Sequence, residues 1–299
     1  MVTLEPVQDA WQIYGDGRLV KHCDHRQQYN VCNTVLAIDD PNSLCLLCRL
    51  NRTIPDLGKP SNLHRWRKLE EAKQRLVFGL LSLGLPLEAP VNGATKGLSF
   101  DFLEDQRTNP DVLEEYVVTG HNAGVITINV LEADDVQRVW QRELSSERYR
   151  TLLGHMRHEV GHFYFELLVT DDSGFRQLFG DPDSPYEEAL NRYYASGPLP
   201  GWEQTFISAY ASSHPTEDWA ECFAHYLHML DTLETASQRN LISPVDLTDI
   251  KDLLDRWDGF AVSLNELNRS LGLRDAYPFV VTPGVAEKLY FVHRMLTMR

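Results

Sequence analysis

The chain has 299 residues, 43% of them hydrophobic and 10% aromatic, which is enough apolar material for a substantial core and excludes a disordered chain. Its 43 acidic residues outnumber 28 basic ones, giving a net charge of -15, so it is not a protein whose whole surface engages nucleic acid or anionic lipid. No apolar run reaches the length of a membrane span, and Met1 to Trp11, carrying Glu5 and Asp9, lacks the apolar segment of an export signal; no membrane partner is expected, and the cytoplasm is the expected compartment.

Residues 1 to 60 read as a small, loop-rich module punctuated by Pro41, Pro55 and Pro60, with Thr34 to Ile38 as a short extended candidate. The module holds Cys23, Cys32, Cys45 and Cys48, the last pair forming Cys-x-x-Cys, while Cys222 stands alone. A tight cluster of this kind without an export signal favours a metal site over disulfides. Four thiolates would close a tetrahedron around one structural zinc, leaving no position for water. The eight- and twelve-residue gaps are looser than in a double Cys-x-x-Cys knuckle, so His22 or His25 could replace Cys23 as a ligand.

From Asn62 the pattern turns helical, with Leu63, Trp66, Leu69 and Leu76 on one face, Ser61 or Asn62 as cap, and Gly84 with Pro86 as stop. Between Arg49 and Arg75 eight basic residues face three acidic ones. A solvated helix face accounts for such a run, and a surface that docks nucleic acid through residues 49–75 is the competing reading. Residues 87 to 120 read as loop. Gly124 to Val130 is the clearest strand, either a cleft edge that pairs with an extended substrate or a buried central strand.

A long helix is expected from about Ser146 to Val169, then an Asp, Gly and Pro-rich connection over 171–185, a helix over Tyr186 to Tyr194, and a break at Gly197 to Gly201. A further helix should follow His214-Pro215, with Thr216 as N-cap, and run to about Ala236. Two more are expected near Pro244 to Trp257 and Val262 to Leu271, and Thr282-Pro283 opens a last one.

His158-Glu159-Val160-Gly161-His162 in the long helix is an HExxH pattern. Histidines four apart project from one helix face, so both imidazoles can grip one zinc ion. Glu159 is then placed to take a proton from water acidified by the metal and pass it to a leaving amine, which is the chemistry of peptide hydrolysis. A catalytic zinc needs a third protein ligand. Phe165 and Leu168 stand where a metzincin would need Gly and His, so that class is excluded.

The stretch Glu217-Asp-Trp-Ala-Glu-Cys-Phe-Ala224 lies downstream on a predicted helix. It resembles the second motif of gluzincins, which makes Glu217 the third ligand and Glu221 a carboxylate that holds the free nitrogen of His158 or His162. The opposite assignment, with Glu221 as ligand, stays open. An oxyanion donor is needed opposite the base. Tyr210 is the preferred candidate because a loop phenol can reach over the metal; His214, His225, Tyr226 and His228 are alternatives, and His155 can be a packed or hydrogen-bonded residue.

Taken with Cys45 to Leu57, Gly124 to Asn129, Tyr149 to Gly154, Arg157 to His162, His214 to Glu221, His225 to His228 and Asp231 to Ala236, these features make the chain similar to a bacterial family of zinc-binding metallopeptidases with a zinc-ribbon-like N-terminus. The resemblance implies an α+β, mostly helical fold, with a zinc-ribbon-like module over 1–60 and a zincin-like metallopeptidase domain over 61–299. It also implies a peptide or protein substrate, one catalytic Zn2+ and one structural Zn2+. The alternative is a nucleic-acid- or protein-binding zinc module with a protease recruited to, or inactive at, its target.

Overall fold

The computed structural model describes residues 3–8, 10–87, 97–135, 151–169 and 173–297. They form two units, Met1–Phe78 with Leu87–Gln141 and Gly79–Pro86 with Arg142–Arg299. The fold is α+β and rich in helix, with two small sheets among the described residues and a zinc-ribbon-like N-terminal region. Among the described residues no helix is long and apolar enough to cross a membrane.

In the first unit, β1 (Leu4–Val7), β2 (Ala10–Ile13), β3 (Leu19–His22) and β4 (Val35–Ala37) make an antiparallel meander in chain order. The sequence reading expected mostly loop here and found only the last strand. The others are short and half exposed, so their two-residue alternation carries little signal. Short helices α1 (Asp24–Tyr29) and α2 (Leu46–Arg49) begin directly after Cys23 and Cys45.

The second sheet runs β5 (Asn51–Thr53), β6 (Ser99–Leu103), β8 (Val125–Asn129) and β7 (Gly120–Asn122). β6 falls where a loop was expected; it buries Phe100 and Phe102 on one face and pairs in parallel with β8. β8 is the expected strand, and it lies inside the sheet, with β6 on one side and β7 on the other. That supports the central-strand alternative over an edge open to substrate. Ala123 and Gly124, both at positive φ, form the two-residue turn between β7 and β8.

Helix α3 (Asn62–Ser82) follows the sequence pattern: Trp66, Leu69 and Leu76 are buried, and Gly84 at φ +67 ends the helix as a left-handed stop. Trp66 packs on His25 and Tyr29. The basic run is not a free cationic face. Lys73 is fully buried against Glu70 at 2.9 Å, and Arg52, Lys59, Arg65 and Lys68 pair with Asp101, Asp111, Asp134 and Asp135.

In the second unit, α4 (Leu152–Leu168) and α7 (Pro215–Gln238) pack together, accompanied by α5 (Ser173–Phe179), α6 (Tyr186–Ser196), α8 (Ile250–Ser270) and α9 (Pro283–Thr297). The start of the expected long helix, residues 146–150, lies outside the described residues. Thr151 caps α4 by accepting from the Gly154 N–H at 2.9 Å.

Three expectations for this unit are corrected. The connection over 171–185 contains α5, because Phe175 and Phe179, one turn apart, stack on each other and reach Trp219 and Phe291. The two helices expected between 244 and 271 are one, because Leu253, Trp257 and Ala261 make a continuous buried stripe that overrides the helix penalty of Gly259. The cap of α7 is His214 rather than Thr216: the imidazole accepts from the Thr216 N–H, and Pro215 takes the first helical position, where no N–H is needed.

Candidate metal centres and active site

The four cysteines of the first unit are buried, reduced and gathered so that their sulfurs all lie within 4.8 Å of one another. Cys32 and Cys45 stand 3.7 Å apart, against about 3.8 Å for two thiolates on one tetrahedral zinc and about 2 Å for a disulfide. Backbone N–H groups of Cys45 and Thr34 point at the sulfurs of Cys23 and Cys32, which suits thiolate charge. His22 packs on Trp11 and His25 on Trp66, and neither belongs to the group.

The second cluster is made by the crossing of α4 and α7. Gly161 permits it: a Cβ there would sit 3.0 Å from the Ala220 Cα, so only a glycine lets the backbones come this close. Three further contacts lock the crossing. The Trp219 indole donates to the Gly161 carbonyl at 2.9 Å, the Arg157 guanidinium donates to Asp231 at 2.7 Å, and Tyr164 stacks on Phe223. His158 and His162 on α4 then face Glu217 and Glu221 on α7 by the four-residue spacing of each helix.

The Nε2 atoms of His158 and His162 are 3.2 Å apart; Glu217 lies 3.0 Å from the first and 3.4 Å from the second. Ligand atoms about 2.1 Å from one tetrahedral ion stand about 3.4 Å from each other, so the residues fit a zinc ion. Glu221 lies 2.7 Å from His158 Nδ1 and can only accept there, so Nδ1 carries a proton, and Nε2 is the nitrogen turned toward a second imidazole and a carboxylate. Positive charge is favoured at that convergence. Burial pushes the His158 pKa down, yet Glu217 and Glu221 hold it well above the ordinary imidazole value. Burial likewise raises Glu217, and the two histidines more than offset this, leaving it well below the usual carboxylate range.

Glu159 is buried beside the cluster, 3.4 Å from His155 Nε2. Burial raises its pKa, but His155 and the field of His158 outweigh this and keep it ionised. The Tyr210 ring lies 5.8 Å from that of His158 and is braced edge-on by Tyr193. Burial, first, and the nearby carboxylates raise its phenol pKa, so it stays a proton donor. The other oxyanion candidates are engaged elsewhere. His214 caps α7 and meets Ser184 with its second nitrogen, His225 meets the Tyr277 hydroxyl, His228 packs on Trp257, and the Tyr226 hydroxyl meets His293.

Two residues at the cluster escaped the sequence reading. The Tyr186 hydroxyl on α6 donates to Glu217 Oε1 at 2.8 Å, and the Ser208 hydroxyl donates to Glu221 Oε2 at 2.5 Å. No motif links either residue to its partner. Cys222 is buried against Asp218, apart from both candidate metal-binding groups.

Fold and sites together define a helix-rich α+β protein with one candidate metal centre of four thiolates and another of two imidazoles and a carboxylate. The family model described as "Putative zinc-binding metallo-peptidase" matches residues 62–295, and a zinc-ribbon domain model matches residues 1–59. The chain belongs to this family of zinc-binding metallopeptidases. It is similar to uncharacterized proteins of Mycobacterium bovis and of two Mycobacterium tuberculosis strains, each 40% identical over 278 residues, covering 89% of this chain and 79% of theirs. No solved structure matches it significantly.

Proposed function

We propose that the protein is a gluzincin-type zinc peptidase, with a zincin-like catalytic domain over 61–299 and a structural zinc-ribbon module over 1–60. The observation that carries this reading is the convergence of His158 Nε2, His162 Nε2 and the Glu217 carboxylate at 3.0 to 3.4 Å, with Glu159 alongside. Zinc held there would act as a Lewis acid, polarising a peptide carbonyl and lowering the pKa of water.

The side chains divide the remaining work. Glu221 holds the His158 Nδ1 proton and so keeps Nε2 free as a ligand. Glu159 takes the proton of the attacking water and delivers it to the leaving amine, a role that requires it to be ionised at rest. Tyr210 keeps its phenol proton and donates it as a hydrogen bond to the developing oxyanion. Cys23, Cys32, Cys45 and Cys48 would hold a second zinc, which would stabilise the folded module.

The nucleic-acid alternative finds less support, because at least five basic residues of the 49–75 segment already have acidic partners. The test of the peptidase reading is Glu159→Gln. Loss of the base should lower peptide hydrolysis by roughly 10²- to 10⁴-fold while zinc content is unchanged. Hydrolysis at the wild-type rate would end the proposal.

A further inference from the structure

Glu221 offers two oxygens, and His158 Nδ1 occupies one of them at 2.7 Å. The other accepts the Ser208 hydroxyl at 2.5 Å. A hydroxyl that donates its proton keeps lone pairs for a second partner, and here the Ala211 N–H donates to it at 3.1 Å. The bond to Ala211 is the ordinary local contact of a serine in a turn. The bond to a carboxylate on α7 is not local, and it is made by a buried side chain, 7% exposed.

Together these bonds close a ring around one residue. Ser208 and Ala211 bracket Tyr210, and the Tyr210 aromatic ring returns to lie 5.8 Å from the His158 imidazole. One carboxylate thus orients an imidazole of the candidate metal centre and, through a single hydroxyl, the turn that carries Tyr210. Ser212 extends the bracing: its hydroxyl donates to the Ala209 carbonyl at 2.7 Å and accepts from the Leu199 N–H at 3.3 Å.

We infer that Ser208 is a positioning residue that couples metal loading at His158, His162 and Glu217 to the placement of Tyr210. The inference rests on the zinc-peptidase reading. Without the hydroxyl, Glu221 Oε2 loses its donor and is free to swing, so His158 is held less firmly. The turn also loses its tie to α7, so Tyr210 moves independently of the centre. Both defects arise from one hydroxyl, and neither involves contact between Ser208 and the peptide.

The test uses the full chain with Ser208→Ala, and with Ser208→Thr to restore the hydroxyl. Ser208→Gly, which also removes the hydroxyl, replaces the alanine variant should that variant not fold. Metal affinity is read by chelator competition with cobalt(II), whose spectrum at a nitrogen and oxygen centre lacks the thiolate charge-transfer bands of the cysteine site. Ser208→Ala should weaken that centre about tenfold, the lower end for residues that orient a ligand. At saturating zinc, kcat should still fall with KM nearly unchanged, and adding Tyr210→Phe should lower kcat no further. Ser208→Thr should recover both losses.

Wild-type metal affinity in Ser208→Ala, or losses that simply multiply with those of Tyr210→Phe, would overturn the coupling. A wild-type chain that binds metal but cleaves no peptide would end the peptidase reading instead. The affinity readings of the alanine and threonine variants would then still decide whether Ser208 supports the centre.

Discussion

Gly161 sits between the two histidines of the motif, and its replacement by alanine separates two opposing effects. In an exposed helix interior the change would stabilise by about 1 kcal/mol through helix propensity alone. Here the new Cβ would lie 3.0 Å from the Ala220 Cα and 3.3 Å from both the Ala220 carbonyl oxygen and Phe223 Cδ1, where carbon atoms normally stand about 3.5 to 4.0 Å apart. The nearest atoms are backbone, so α4 and α7 must part by roughly half an ångström. Overpacking of this kind costs about 1 to 3 kcal/mol, leaving a net loss of about 0 to 2 kcal/mol. Zinc sites tolerate errors of about 0.2 Å in ligand distance, so the same movement pulls Glu217 away from the imidazoles. Thermal unfolding with and without zinc, together with chelator competition, reads both effects. Gly161→Ala should have a melting temperature at or below wild type and clearly weaker metal binding at His158, His162 and Glu217. A variant stabilised by the full propensity increment, with wild-type zinc affinity, would refute the close crossing as the origin of the site.

Tyr186→Phe removes the hydroxyl that donates to Glu217 at 2.8 Å and should weaken zinc binding up to about tenfold with little change in fold stability; unchanged affinity in the same competition assay would remove Tyr186 from the site. Lys288→Ala strands Asp218, which its ammonium meets at 2.5 Å in the core, and should cost about 3 to 5 kcal/mol in urea unfolding, most of it recovered by Lys288→Met with Asp218→Asn. His225 supplies a pH test: burial first, partly opposed by Glu221, holds its pKa down to about 4 in the folded chain, against about 6.5 unfolded. The unfolded state therefore binds the proton first, so the contribution is complete above pH 6.5 and declines by about 3 kcal/mol as pH falls to 4. Comparing metal-free wild type with His225→Gln by calorimetry should show that decline in the difference between them, and a flat difference would contradict it. Cys48→Ser leaves three thiolates and should unfold the N-terminal module, seen as rapid proteolysis within residues 1–60, while retained protease resistance would deny the structural metal.

Features that depend on short spacings were legible in the sequence. His158 with His162, and Glu217 with Glu221, are each one helical turn apart, so pattern alone puts each pair on one face. The strand at 125–129 was legible for the same reason, and the cysteine cluster because four of the chain's five cysteines fall between residues 23 and 48. What was hidden depends on chain reversals. Tyr186 and Ser208 reach the cluster from separate elements, and nothing in their local sequence marks the carboxylates they meet. β6 was hidden because it has only five residues and sets Asp101, a residue type depleted in strands, between Phe100 and Phe102. α5 was hidden because aromatic packing overrides an Asp and Gly-rich composition. The ion pairs of the basic run of 49–75 were hidden for a related reason: its acidic partners are distant in sequence, at Asp101, Asp111, Asp134 and Asp135.

The most direct measurement is the anomalous scattering of crystals at the zinc edge. The account predicts two peaks per chain, one among the sulfurs of Cys23, Cys32, Cys45 and Cys48, the other about 2.0 to 2.2 Å from His158 Nε2, His162 Nε2 and a Glu217 oxygen. A chain that crystallises from zinc with a peak at the cysteines alone would contradict it.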